Sequence, residues 1–322
     1  MKKLLTIILV LCIGLGICLM LTACGEIDDG INDANEDVFD NDNSSNNGSS
    51  SDNSSDSVES GDGSSNDGNE FSFTELVAVN NSECMITITS LEEDEIWGLV
   101  INIQLENKSS NKKYMFTTSS IYVNGVYCSS SLVKEVAAGK KANDKIYISD
   151  SDFEYEDIGE YSDIELAFRV YNSDDWLEDD VVNESVHVYP YGQNNAFIYN
   201  RPSKATDEVI VDNAYVKVIV TGYEMDDLFG YVVSLYLINK TDKAVTFNVE
   251  DASINGFMLD PFFARTISKG KQAFAELDWS IYDLEENNIT TIEEIEFLLE
   301  AHEENDWFGE NYFVNQTITL NP

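Results

Sequence analysis

The sequence predicts an all-β protein made of two tandem antiparallel β-sandwiches, and three observations carry that expectation. The first is a long repeat. GLVINIQLENKS begins at Gly98 and GYVVSLYLINKT at Gly230, 132 residues later. A period of that length is a duplicated domain, too long for a solenoid unit. The second is period-two alternation of β-branched and aromatic residues, as in Met85–Thr89 and Leu99–Leu105, which marks half-buried strands. The third is punctuation: turn residues recur at short intervals, and three of the four prolines (Pro190, Pro202 and Pro322) fall at the edges of the repeats.

From the N-terminus, residues 1–23 read as a targeting segment. Lys2 and Lys3 precede an apolar run from Leu4 to Met20, and Leu21-Thr22-Ala23-Cys24 follows. Small residues before a cysteine resemble the bacterial lipobox. That resemblance implies a signal peptide, a diacylglycerol thioether on Cys24, and a cell-membrane lipid anchor on the extracytoplasmic face. The alternative reading is a simple membrane anchor, with Cys24 incidental.

Residues 24–71 form an Asp/Asn/Ser/Gly-rich tract, with 14 acidic residues and no Lys or Arg up to Glu70. It has too little apolar surface to offset the entropy of ordering, so the expectation is a disordered tether. A coil of that length spans about 40 Å, and like-charge repulsion stretches it further. No run matches an EF-hand calcium loop.

The repeats follow as domain 1 over 72–190, a connector over 191–205 and domain 2 over 206–322. Copy two offers Val216–Val220 and Val232–Leu237 as the counterparts of the first strands. Asn107-Lys108-Ser109 and Asn239-Lys240-Thr241 close turns. Asn124-Gly125 and Asn255-Gly256 fit two-residue type I′ hairpins, where both residues take positive φ. Beyond Gly139 and Gly270 lie strands at Lys145–Ile148 and Ala275–Trp279. Phe153–Tyr161 and Leu284–Ile292 lack alternation and read as short helical turns, ahead of strands at Ile164–Val170 and Ile295–Ala301. Seven or eight strands per copy favour an immunoglobulin-like sandwich over a jelly roll or small barrel.

The formal charge is −42, and beyond the tether 46 acids face 16 bases. That balance excludes nucleic acid, which needs a basic footprint, and opposes lying flat on anionic lipid. Catalytic signals are sparse. His187 and His302 align with Thr319 and Tyr171, so neither is shared between copies. No catalytic residue, cofactor or metal site is expected. A zinc site fails because the two His and the two remaining Cys lie in different copies or on distant strands. With so many acids, chance carboxylate pairs carry no glycosidase signal. Glu92-Glu93-Asp94-Glu95 and Asp226-Asp227 read as solvated turns. Asp175-Trp176 and Asp306-Trp307 recur, which favours a scaffolding role.

Unshared positions are the better candidates. Cys84 and Cys128 align with Val216 and Leu259. Joint loss suits a disulfide, and two buried thiols would be replaced by aliphatics just as readily. Asp260–Arg265 (DPFFAR) replaces Ser129–Lys134 (SSSLVK), and Phe262, Phe263 and Arg265 form a candidate binding surface. The competing reading packs one phenylalanine against the connector, where Tyr189, Tyr191, Phe197 and Tyr199 also need burial.

The Val123-Asn124-Gly125 and Ile254-Asn255-Gly256 turns, the Gly139-Lys140 and Gly270-Lys271 pairs, the two Asp-Trp pairs and Tyr189-Pro190-Tyr191-Gly192 resemble an immunoglobulin-like extracellular domain of predicted lipoproteins from clostridia-like bacteria. The resemblance covers about residues 75–322 and implies fold and surface location, with no activity attached. The function expected is that of a lipid-anchored, non-enzymatic surface module binding an unknown protein or glycan. The alternatives are an accessory carbohydrate-binding protein and an extracellular enzyme. Limited proteolysis of the whole protein is expected to cut residues 24–70 first; protection of that tract while the repeats are cleaved would contradict the tether.

Overall fold

The computed structural model describes residues 71–154, 156–226, 230–261, 263–306 and 311–322. The leader, Cys24, the tether, Asp227, Phe262 and Trp307 lie outside the described residues, as does the side chain of Asp226.

The first copy runs β1 (Leu76–Asn80), β2 (Cys84–Asp94), β3 (Gly98–Asn107), β4 (Tyr114–Val123), β5 (Val126–Cys128), β6 (Val133–Val136), β7 (Lys141–Ile148), β8 (Ile164–Asn172) and β9 (Val182–Val188). The second repeats it as β10 (Glu208–Asp212), β11 (Val216–Asp226), β12 (Gly230–Asn239), β13 (Val245–Ile254), β14 (Phe257–Met258), β15 (Ala264–Ile267), β16 (Gln272–Ser280), β17 (Ile295–Glu303) and β18 (Tyr312–Leu320). In copy one, β1-β2-β3-β7 faces a layer in which β5 and β6 pair with β4, followed by β8 and β9. Copy two repeats the pattern: β10-β11-β12-β16 faces β13, β17 and β18, with β14 and β15 on β13. The all-β, antiparallel sandwich architecture is as the sequence predicts.

Register irregularities repeat as well. The ladder shifts at Val77/Val79 and at Val209/Val211, then at Ile88/Ser90 and at Val220/Gly222. A bulge re-aims every residue beyond it, so its retention keeps the same faces inward in both copies. The Asn-Gly hairpins form as expected, with φ of 50° and 84° at Asn124-Gly125 and 49° and 80° at Asn255-Gly256. Gly98 and Gly230 serve a different need: a Cβ at either would run into a main-chain carbonyl, that of Ile148 or of Trp279. Each hairpin can therefore seat against the C-terminal end of β7 or β16. The two helical turns sit earlier than the sequence suggested. One is a 3-10 turn at Asp150–Phe153, and the other is α1 (Ile281–Glu286), which starts where Ser280 caps it by accepting from the Asp283 N–H.

Asn107 and Asn239, equivalent in the two copies, are each 1% exposed. Asn107 Nδ2 donates to the carbonyls of Lys112 and Val136, and its Oδ1 accepts from the Ser109 N–H. Asn239 Nδ2 donates to those of Lys243, Ile267 and Ser268, and its Oδ1 accepts from the Thr241 N–H. Each carboxamide thus ties the end of β3 or β12 to the opposite sheet. Alanine at either position would strand several buried carbonyls and one amide. Asn107→Ala and Asn239→Ala are each expected to lower stability by roughly 2–4 kcal/mol, read as a fall in urea midpoint; a midpoint equal to the parent's would refute the tie.

Candidate functional site

The two sandwiches meet along a continuous seam. Gln272 on β16 pairs in parallel with Val126 on β5, donating its N–H to the Gly125 carbonyl at 3.1 Å. Its side chain donates to the Tyr199 carbonyl at 2.6 Å, while the Tyr199 N–H reaches the Asn124 carbonyl at 2.8 Å. Beside this ladder, the Ser268 N–H donates to the Tyr122 hydroxyl at 2.7 Å, and Lys271 pairs with Glu165 at 2.5 Å. Burial alone would raise the Glu165 carboxyl, but the Lys271 ammonium more than offsets it and holds Glu165 below the usual range. Apolar side chains also cross the seam. Tyr122 belongs to the second core, and Ile219, Tyr236 and Phe274 belong to the first.

The connector is stapled by Arg201, whose guanidinium makes paired 2.8 Å bonds to Asp207, with both side chains almost fully buried. That hydrogen-bonded pairing holds Asp207 below the ordinary carboxylate range. A cavity of about 150 Å³ lies beside the pair, lined by Arg201, Lys217 and Tyr236 among others.

Next to the seam lies a larger cleft, about 410 Å³, lined by Glu154, Glu156, Glu224 and Glu276 with Ser234 and Phe274. Glu154 enters it in a left-handed conformation, φ 53°, just past the 3-10 turn of copy one. Glu224 and Glu276 come from β11 and β16 of copy two. Desolvation, reinforced by the charges of Glu154, Asp278 and Glu224, pushes the Glu276 carboxyl up to about 7. Glu154 and Asp278 are raised too, by partial desolvation, although Arg265 counters the rise at Glu154. A carboxyl that keeps its proton to near neutrality can donate it in a proton transfer. Among the described residues, no group of three or more His, Cys, Asp or Glu is placed to hold a metal ion.

The candidate binding surface read from DPFFAR is not a surface where it can be described. Phe263 is 7% exposed and packs in the second core. Arg265 is half-buried and lies over the Tyr127 ring at 4.7 Å, facing the first sandwich. The physical reason is the fold of this loop. Asp260 accepts from the Ala252 N–H at 2.8 Å, and Trp279 donates to the Leu259 carbonyl at 2.7 Å, which turns the loop inward. Cys84 and Cys128 are separate buried thiols, so no disulfide joins them. Cys84 pairs with Asn107 at one end of β3, whereas Cys128 neighbours the 3-10 turn after β7, at the other end. Burial raises both thiols, that of Cys84 to about 11, so neither is a ready nucleophile.

His187 Nδ1 donates to the Asp163 carboxylate at 2.7 Å, and the ring stacks on Tyr189. His302 contacts the Glu303 carbonyl at 2.8 Å and meets the edge of Tyr312. Trp176 is 53% exposed, while Asp175 accepts from the Leu177 N–H.

No family model matches the chain, and no curated protein matches it. Among solved structures it is similar to an inhibitor-bound exo-β-D-glucosaminidase, at 12% identity and a TM-score of 0.24 over 74% of this chain and 26% of that one. It is also similar to the exo-chitosanase of Amycolatopsis orientalis, at 13% identity and 0.22 over 74% and 27%. The oxalate decarboxylase of Bacillus subtilis follows at 9% and 0.12 over 79% and 80%. The chain spans about a quarter of the length of the two glycosidases. Similarity at these scores carries no inference.

The raised Glu276 carboxyl has a consequence for stability. The folded protein binds this proton up to about pH 7, while the unfolded chain releases it near 4.5. This group's penalty is therefore absent below the unfolded value, grows as pH rises between the two, and is complete above the folded one. Glu276→Gln is expected to flatten the loss of stability between about pH 5 and pH 8. At the upper end it should stabilise by on the order of 1 kcal/mol, less than the full shift because the side chain is partly solvated. Parallel melting curves for parent and variant across that range would expose a wrong sign.

Proposed function

We propose that this chain is a lipid-anchored, non-enzymatic binding protein of the cell surface, in which two immunoglobulin-like sandwiches ride on an acidic tether. The observation that carries the reading is the seam. Residues in which the second copy departs from the first (Arg265, Phe274 and Tyr236 among them) are spent on fixing the sandwiches to each other. Such a body presents broad, preorganised sheet faces, which lowers the ordering cost of a bound partner. The strand order supports the immunoglobulin-like part: β2-β3-β7 opposes β4-β8-β9, and β11-β12-β16 opposes β13-β17-β18. The leader and Cys24 support the anchor through sequence alone.

A second reading, hydrolysis of an extracellular substrate, is favoured by one observation: the Glu276 carboxyl, raised to about 7, shares its cleft with Glu154, Glu156 and Glu224. Turnover of a glycoside panel that disappears in Glu276→Gln would select it.

The anchored reading is tested by labelling with a radioactive fatty acid and by membrane fractionation. The parent protein should carry label and sediment with membranes. Cys24→Ser should lose the label and either appear in the soluble fraction or keep its leader. Unchanged labelling of Cys24→Ser would rule out the lipid anchor.

A further inference from the structure

We propose that the outward face of β2, β3 and β7 in the first sandwich binds an uncharged, β-linked polysaccharide. In this site Trp97 and Tyr147 stack on sugar rings, and a row of carboxamides meets the hydroxyls. The inference rests on the surface-binding reading and names its site and ligand class.

The aromatic pair is exposed and yet held. Trp97 is 58% and Tyr147 42% exposed, with ring centroids 5.8 Å apart and planes tilted by 54°. Two independent constraints fix the hairpin that carries Trp97. The Asp94 carboxylate accepts from the N–H groups of Ile96 and Trp97 at 2.8 and 2.9 Å, and Gly98 seats the strand against the Ile148 carbonyl. Ser130 donates to the Tyr147 carbonyl from the other side. An exposed indole fixed in this way loses little entropy on contact. The tilt turns one stacking plane relative to the next, as successive units of a twisted glycan chain do.

From Tyr147 the same face continues along β7 through Lys145 to Asn143, about 13 Å at the rise of a strand. Asn102 lies opposite Lys145, and Gln104 lies opposite Asn143. The Gln104 amide donates to Asn143 Oδ1 at 3.2 Å, and Asn102 donates to Ser90 at 3.0 Å. These bonds align the carboxamides and leave Gln104 Oε1 and Asn143 Nδ2 free to bind, among the described residues. Aromatic faces for C–H surfaces, followed by aligned amides for hydroxyls, suit a sugar chain.

The repeat separates this ligand from a protein partner. In the second sandwich the equivalent face is an established interface: Ile219, Tyr236 and Phe274 seal it against the first copy. The same positions in the first sandwich hold Thr87, itself buried, the half-buried Gln104 and the exposed Asn143. The apolar seal has been exchanged for polar groups, which disfavours another sandwich or a second copy docking there. Charge narrows the class further. A chain at −42 repels polyanions, and on this strip Lys145 is offset by Glu92 at 3.9 Å, so an uncharged polymer is the complementary ligand.

The test is calorimetric titration of the full chain, in detergent micelles, with cellohexaose, laminarihexaose and chitohexaose. At least one of the three should bind. Trp97→Ala and Tyr147→Ala should each weaken that binding by about tenfold or more, the scale of a hot-spot aromatic. Gln104→Ala should weaken it less, and Trp176→Ala, a similarly exposed tryptophan outside this face, should leave it unchanged. Thermal melts establish that each variant is folded. Binding of none of the hexaoses by the parent, or parental affinity in folded Trp97→Ala, would overturn the proposal. Saturable binding of the parent to intact cells, with no hexaose bound, would overturn the glycan face and leave the surface-binding reading standing.

Discussion

Asn239 and its counterpart Asn107 hold the points from which the rest of this architecture is hung. In each sandwich two sheets face each other and share no ladder among the described residues, so dispersion and area burial alone do not set how one slides on the other. A carboxamide at 1% exposure must satisfy all its hydrogen-bonding groups, and here it does so with main-chain atoms of loops from both sheets. That requirement fixes the offset between sheets. In copy two it reaches further. The Asn239 N–H donates to the Lys271 carbonyl, and its side chain to that of Ser268. Those two residues then supply the ion pair to Glu165 and the bond to Tyr122. The seam is thus built on a loop that the buried asparagine has already placed.

Much of this fold was legible in the chain. Alternation gave the strands because a half-buried strand leaves a period-two trace, and Asn-Gly gave the hairpins because two positive φ values select those residues. What turn propensity could not convey is the second job of the same asparagines. Asn124, read as a turn residue, also donates to the carbonyls of Ile158 and Glu160 and accepts from Ser162. Its partners lie tens of residues downstream, beyond the reach of a local pattern. The aligned copies offered the missing signal, since an asparagine kept in both where glycine or aspartate would also turn is doing more than turning.

The sites were less legible, for reasons of geometry. Exposure was a fair expectation for Phe263, but bonds made by Asp260 and Trp279 accompany its burial, and neither residue advertises a partner in sequence. The acidic cleft was lost among 46 carboxylates, where only distance between β11, β16 and the 3-10 turn distinguishes one cluster from another. Trp97 aligns with Phe229, so comparing the copies does not mark it as a position where they differ in aromatic character. The exchange of Ile219, Tyr236 and Phe274 for Thr87, Gln104 and Asn143 was fully present in the alignment. It becomes readable only once one of the two equivalent faces is known to be covered.

The first sandwich also begins and ends in one place. The Ser72 N–H donates to the Pro190 carbonyl at 2.9 Å, and the Phe71 ring lies against Tyr191 at 5.6 Å. Mechanically, this makes the sandwich a bypassed element. A pull applied at residue 71 and resisted at the connector would travel through that short junction, and little of it would load the strands between. A pull at residue 71 would therefore leave the outward face of β2, β3 and β7 in its shape.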